Sequence, residues 1–281
     1  MPQPTDAIGP YRLLRLTGAG AMADVWQAEH VQTGQPAALK LLRATNRFTD
    51  DDQEAERRFL AEAHTARVLV HPDIVAVLDA GHTEGGQPWI ALEWVSGLPL
   101  TVHTQAAQLL PVRTALGVGQ RVARALAHAH ARGVVHRDIK PENILVDQLG
   151  SPGAQIKIAD FGVARAEDSS ATQTGMILGT PAYMAPEQLA GAPANPLGDL
   201  YSLGVVLFEL LTGRRPLEAH SMGEWLRRIS QEPATPLRQL RPDLPEAVGQ
   251  VVDSLLERDP ARRPGRGDEV ALALAACMAQ L

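Results

Sequence analysis

A single cysteine, Cys277, is the only thiol in this sequence. No disulfide can form within the chain, and the reading it supports is a small buried hydrophobe near the C-terminus. No apolar run approaches the roughly 20 residues that a membrane span requires. Met1 to Asp6 carry no basic stretch followed by an apolar one, so no secretory leader is expected. Basic residues do not gather in any one segment, and the formal net charge is −6, from 26 Lys and Arg against 32 Asp and Glu. That balance argues against nucleic acid as a partner. Internal repeats and low-complexity tails are also missing. These absences point to a cytoplasmic chain without a membrane span, or to the cytoplasmic part of something longer. What is present is 281 residues, 45% of them hydrophobic, enough for one large domain or two lobes.

The stretch Val134 to Val146 reads V-V-H-R-D-I-K-P-E-N-I-L-V. Its apolar ends and polar middle describe a short loop pinned in a core at both ends, presenting Asp138, Lys140 and Asn143 to one side. An acid, an amine and an amide this close together, with Pro141 fixing the backbone, suit phosphoryl transfer. Asp138 accepts a hydroxyl proton, Lys140 steadies phosphate charge and Asn143 holds a metal ion. A charged surface loop would account for Arg137 and Glu142, but not for apolar runs on both sides.

Before this stretch the pattern is mostly strand. Tyr11–Thr17 and Val25–His30 flank the turn Gly18-Ala19-Gly20-Ala21-Met22-Ala23, Pro36–Leu42 carries Lys40, and Ile74–His82 and Pro88–Trp94 meet at Gly85-Gly86. Glycines let backbone N–H groups approach a phosphate with no Cβ in the way. An ordinary tight hairpin explains the same pattern. No G-K-[ST] follows, which excludes a P-loop, and no strand-to-helix step, which excludes a Rossmann turn. Asp51 to Leu69 has an acidic first turn and the stripe Phe59, Ala63, Ala66, the marks of a helix. Glu62 lies beside that stripe, and an inward Glu62 facing Lys40 would make a partly buried ion pair. Five strands and one helix form a small α+β lobe, and Ser96-Gly97 is the expected linker.

After the linker, Pro111 to Arg132 reads as a helix closed by Gly133, although Gly117 and Gly119 each weaken it by roughly 1 kcal/mol relative to Ala. His128 and His130 are two apart and face different ways, a poor metal pair and better read as structural. Asp160-Phe161-Gly162 follows the strand Ile156-Lys157-Ile158, placing a second oxygen ligand near Asn143 in a manner that suits Mg²⁺. Ala164 to Gly179 is small, polar and rich in hydroxyls, and Ala185-Pro186-Glu187 follows it. Asp199 to Leu211 is apolar nearly all round, so its helix is buried, and Asp199 at its start can accept backbone N–H groups. Trp225 to Ile229, Val248 to Leu256 and Glu269 to Leu281 supply further helices.

The glycine loop, A-A-L-K, the helix Glu, H-R-D-I-K-P-E-N, D-F-G and A-P-E thus occur in this order between Tyr11 and Cys277. The ordered set resembles the eukaryotic-type (Hanks-type) serine/threonine protein kinases, especially their bacterial branch. The resemblance implies a bilobal α+β fold in one domain, residues 1–281. Its N-lobe, residues 11–95, would be a five-stranded antiparallel sheet plus one helix, and its C-lobe, residues 96–281, mainly helical. It implies ATP and Mg²⁺ (or Mn²⁺) as cofactors and protein Ser/Thr hydroxyls as acceptors, with a homodimer for autophosphorylation in trans. A nucleotide-binding pseudokinase scaffold is the alternative, prompted only by Ala23 where the family has its third glycine. A small-molecule phosphotransferase sharing a His-x-Asp loop is disfavoured by the I-K-P-E-N tail and by the A-P-E.

Residue by residue, the resemblance implies that Leu16, Gly18, Gly20, Val25, Ala38 and Leu145 enclose the nucleotide. Lys40 would bind its α- and β-phosphates and pair with Glu62. Glu93 to Val95 would bond the adenine through backbone groups, with Leu92 as gatekeeper. Asp138 would be the catalytic base, Lys140 would touch the γ-phosphate, and Asn143 and Asp160 would hold two metal ions. Thr180 would face the substrate, Glu187 would pair with Arg263, and Asp199 would brace the catalytic loop. Thr172 and Thr174 resemble autophosphorylation sites, with Arg137 as the partner of the added phosphate.

Overall fold

The computed structural model describes residues 3–20, 23–43, 56–57, 59–60, 63, 66–151, 153–161, 181–219 and 221–281. Among these, residues up to Ser96, with Asp160 and Phe161, form one compact unit. Those from Gly97 to Ala159 and from Pro181 onward form a second.

The first unit is an antiparallel sheet of six strands, one more than expected. Its strands are β1 (Ala7–Ile8), β2 (Tyr11–Ala19), β3 (Ala23–His30), β4 (Pro36–Leu42), β5 (Val77–His82) and β6 (Pro88–Glu93), in the order β1-β2-β3-β4-β6-β5. The extra strand is β1. Gly9, at φ +54°, turns the chain before Pro10 so that Ile8 pairs with Tyr11 and Ala7 with Arg12. A strand of two residues is too short to leave an alternating pattern in sequence.

The period of two in β4 gives each face its task. Ala37, Leu39 and Leu41 point into a core with Tyr11, Leu13, Trp26 and Trp89. Leu42, two residues on from Lys40, points to the other face, where Ala23, Phe59, Ala63 and Ile90 cluster. Residues 56–57, 59–60, 63 and 66–67 are helical, and the stripe Phe59, Ala63, Ala66 is buried as its spacing predicts. The methyl of Ala23, at the position of the family's third glycine, fills part of this second core.

The second unit is mainly helical. Val112–His130 buries Ala115, Leu116, Val118, Gly119, Val122, Ala123, Ala125, Leu126 and Ala129. Pro111 is its cap rather than its first helical residue, and Gly133, at φ +74°, follows its end. Pro196–Thr212 is the buried helix expected from its apolar surface. Asn195 Oδ1 caps it by accepting from Leu197 N and Gly198 N at 2.9 and 3.1 Å, and Gly213 ends it at φ +71°. Met222–Gln231, Glu246–Leu255 and Gly267–Ala279 match the remaining expected helices. A small sheet, β7 (Leu98–Pro99), β8 (Ile144–Asp147) and β9 (Gln155–Ile158), carries the far end of the 134–146 stretch. No helix among the described residues is long and apolar enough to cross a membrane.

Candidate active site

Strand pairing puts the glycine turn and Lys40 in one row. Gly18 pairs with Val25, Val25 with Lys40 and Lys40 with Ile90, while Ala38 pairs with Leu92 two residues along. Directly paired residues of antiparallel strands share a face, so Val25, Ala38, Lys40 and Leu92 present one surface. Leu16 is 49% exposed on β2. Gly20 N donates to Ala23 O at 2.9 Å, closing the turn. A Cβ at Gly20 would meet that same oxygen at 2.9 Å, so the turn itself requires this glycine. A Cβ at Gly18 would sit 3.8 Å from Val25, an ordinary contact, so packing places no such demand there.

Lys40 Nζ donates to Asp160 Oδ1 at 3.0 Å. Sequence reasoning gave these two residues separate tasks and did not anticipate the pair. Asp160 sits at φ +59°, a conformation uncommon for a residue with a side chain. Phe161 beside it is buried and lines a small cavity with Lys40, Ala63, Val75, Ile90 and Leu92. Glu62, the expected partner of Lys40, lies outside the described residues, as do Thr172, Thr174 and Thr180. Glu93 is tied to Ala76, the residue just before β5: its N–H donates to Ala76 O at 2.8 Å and its Oε2 accepts from Ala76 N at 3.2 Å. Val95 is half-buried just beyond.

In the second unit, Asp138, Lys140 and Asn143 come together. Lys140 Nζ donates to Asp138 Oδ2 at 2.7 Å, and Asn143 Nδ2 donates to the same oxygen at 3.2 Å and to Asp138 O at 2.8 Å. Both of these side-chain bonds fall on Oδ2. The amide nitrogen of Asn143 is committed to Asp138, so its Oδ1 is the atom a hard cation would use. Leu145 follows on β8, paired with Pro99 and Lys157.

The loop is held from beneath. Asp199, 1% exposed, accepts from His136 N at Oδ2 and from Arg137 N at Oδ1, both at 2.8 Å. These bonds hold Arg137 at φ +74°, a strained position for a residue with a long side chain. His136 Nδ1 accepts from Asp138 N at 3.2 Å, so its Nε2 carries the proton and donates to Ala159 O at 2.9 Å. Ala159 N in turn donates to Asn143 O at 2.9 Å. The side chain of Arg137 is exposed.

Two ionic groups support the neighbouring segment. Arg263, wholly buried, forms two parallel bonds to Glu187 at 2.7 and 2.8 Å and lies 4.9 Å from the centre of the Tyr201 ring. Burial raises the Tyr201 hydroxyl to about 12. Tyr183 donates to Glu209 Oε2 at 2.6 Å, and Arg215 stands 3.5 Å from Glu209 Oε1. Burial raises Glu209 above the ordinary carboxylate range, against the opposing pull of the Tyr183 hydroxyl and Arg215. Burial, then the bond to Glu209, raises Tyr183 as well. Sequence reasoning missed this second cluster, although a glutamate inside the apolar run L-F-E-L-L signals a buried carboxylate in need of a partner.

The chain also matches known proteins over most of its length. A protein kinase domain model matches residues 11–275. The chain is 41% identical over 276 residues to serine/threonine-protein kinase PknA of Mycobacterium tuberculosis, covering 96% of this chain and 62% of that protein. It is 38% identical over 256 residues to serine/threonine-protein kinase PrkC of Bacillus subtilis, covering 91% of this chain and 38% of the relative. The chain therefore spans less than two thirds of these relatives. The crystal structure of the M. tuberculosis PknI kinase domain superposes with a TM-score of 0.75 at 31% identity, over 99% of this chain and 100% of that one.

Proposed function

Because this chain belongs to the protein kinase family, we propose that it transfers the γ-phosphate of ATP to serine and threonine hydroxyls of proteins. The observation that carries this reading is the grouping of Lys140 and Asn143 on one oxygen of Asp138, in a loop fastened by two backbone bonds to Asp199. Asp138 takes the proton of the attacking hydroxyl, while Lys140 offers its charge to the phosphate being transferred. Gly18 and Gly20 let backbone N–H groups approach phosphates, Lys40 binds phosphate oxygens with Glu62 as its partner, and Val25, Ala38, Leu16 and Leu145 enclose the base. Glu93 and Val95 contribute backbone groups to the adenine. Asn143 and Asp160 offer oxygen donors of the kind Mg²⁺ or Mn²⁺ takes, and the metal would neutralise phosphate charge when bound.

Little covalent chemistry is asked of the protein; placement and fixed charge supply the rate. Ala23 does not weaken this reading, since its methyl is absorbed by the core. The exposed side chain of Arg137, directly before Asp138, supports regulation by phosphate on Thr172 or Thr174, added by a second copy of the chain. The cytoplasm, where ATP is plentiful, is the proposed compartment.

The test is incubation with γ-labelled ATP, Mg²⁺ and a mixed protein acceptor. Label on phosphoserine and phosphothreonine supports the proposal. Nucleotide binding without any transfer would replace it with a scaffold role.

A further inference from the structure

Glu142 stands between Lys140 and Asn143 in the chain but takes no part in their grouping on Asp138. It is exposed, and no hydrogen bond holds its carboxylate among the described residues. Burial raises Glu209, 7% exposed on the helix Pro196–Thr212, and the charge of Glu142 adds to that rise. Tyr183 responds to burial and to Glu142 in the same way. Two carboxylates coupled at the edge of the loop that carries Asp138 would draw a cation.

Arg215 supplies that cation from within the chain. Past Gly213, at φ +71°, its guanidinium comes 3.5 Å from Glu209 Oε1 and 5.3 Å from the centre of the Tyr183 ring. Glu209 does not need it for a hydrogen bond, since Tyr183 already donates to Oε2 at 2.6 Å. With its side chain 40% exposed, Arg215 lies at the rim of the group rather than in the core.

On the kinase reading of Asp138, we infer that Arg215 is a specificity-determining residue: it occupies the acidic subsite that Glu142 and Glu209 would otherwise offer to a basic side chain near the target hydroxyl. A second guanidinium brought to the same carboxylates would meet the first, and like charges at close range repel. Acceptors with neutral residues beside the serine or threonine escape that penalty. An arginine that only braced Tyr183 and Glu209 would affect every acceptor alike. An occupant affects the ranking of acceptors, because its presence acts against one class of side chain.

The test uses peptides with one serine and a single arginine, placed in turn at each of the three positions on either side, each paired with its alanine twin. Wild type should give a ratio of kcat/KM, arginine over alanine, within about threefold of one, the scale of an exposed charge contact. Arg215→Ala should raise that ratio about 10-fold or more at one position at least. Adding Glu142→Gln should undo the gain, because the freed carboxylate is then missing. Arg215→Lys should keep the wild-type ratio, and Arg215→Gln, of similar reach but uncharged, should behave as Arg215→Ala does. The ratio is unaffected by how much of a variant is folded, since both twins meet the same active fraction. Independently of transfer, a fluorescent copy of the favoured arginine peptide should bind Arg215→Ala about 10-fold more tightly than wild type, a difference its alanine twin lacks. Ratios equal in Arg215→Ala and wild type at every position, or a gain that survives Glu142→Gln, would overturn the inference. A wild-type protein that transfers no phosphate would instead overturn the kinase reading, leaving peptide binding to judge Arg215.

Discussion

Arg263 and Glu187 meet through two parallel N–H···O bonds, 2.7 and 2.8 Å long, with the arginine side chain fully buried. The same guanidinium also donates to the carbonyls of Glu257 and Leu197, at 2.7 and 3.0 Å. It thus ties the Ala185-Pro186-Glu187 segment to the first turn of the buried helix Pro196–Thr212. Removing either partner strands the other charge. Arg263→Ala and Glu187→Gln should each destabilise the protein by about 3–5 kcal/mol in urea unfolding. Arg263→Lys should rescue little, since an ammonium cannot reproduce the planar fork. A loss under about 1 kcal/mol in all three would contradict the pair's proposed structural weight.

Lys40 and Asp160 form a different kind of pair, 15% and 37% exposed at the side chain. Contact with solvent limits what it adds to folding to about 0–1 kcal/mol. Its proposed value is chemical. Lys40→Met should therefore lower kcat/KM by about 10²-fold or more while leaving the unfolding midpoint nearly unmoved. A large shift in the midpoint with activity retained would reverse that assignment.

Glu209 offers a prediction in pH. Burial raises its pKa in the folded protein above the unfolded value. The folded state then binds the proton more tightly, so this group's contribution to stability is greatest at low pH and is lost as pH rises through the folded value. Glu209→Gln removes the titration while keeping an oxygen to accept from Tyr183. The stability of the variant relative to wild type should climb as pH rises from the ordinary glutamate value through the raised folded value, and stay flat below that range. Unfolding curves across that range check this; a difference independent of pH would rule it out.

Gly267 sets helix propensity against packing. It opens the helix Gly267–Ala279, and propensity alone would reward alanine by up to about 1 kcal/mol. A Cβ there would run into the carbonyl oxygen of Ala123, on the helix Val112–His130. Backbone cannot step aside as a flexible side chain can. Gly267→Ala should destabilise by about 1–3 kcal/mol, and any gain in the thermal midpoint would show that the helices tolerate the separation.

These residues also mark how far the sequence could be read. Period two in P-A-A-L-K-L-L and the turn at Gly18 to Ala23 made the sheet legible, because one face of each strand had to be apolar. The convergence on Asp138 was legible because Lys140 and Asn143 are two and five residues away. Partners far apart were harder. Glu187 with Arg263 and Asp199 with its loop came from the family resemblance, and Lys40 with Asp160 was not foreseen. Gly119 looked like a weakness of its helix. In the fold its missing Cβ makes room for Leu207, whose Cδ2 would otherwise lie 2.5 Å away. A sequence records the cost of such a glycine but not the neighbour that requires it.

In the proposed reaction Asp138, held by Lys140 and Asn143, takes the proton from a protein hydroxyl. Single-turnover transfer from γ-labelled ATP, with Mg²⁺ and a protein acceptor, measured for wild type and Asp138→Asn, addresses it most directly. The account predicts labelled serine and threonine with wild type and a rate about 10²- to 10⁴-fold lower in the variant, with ATP still bound. Equal rates for the two proteins would contradict it.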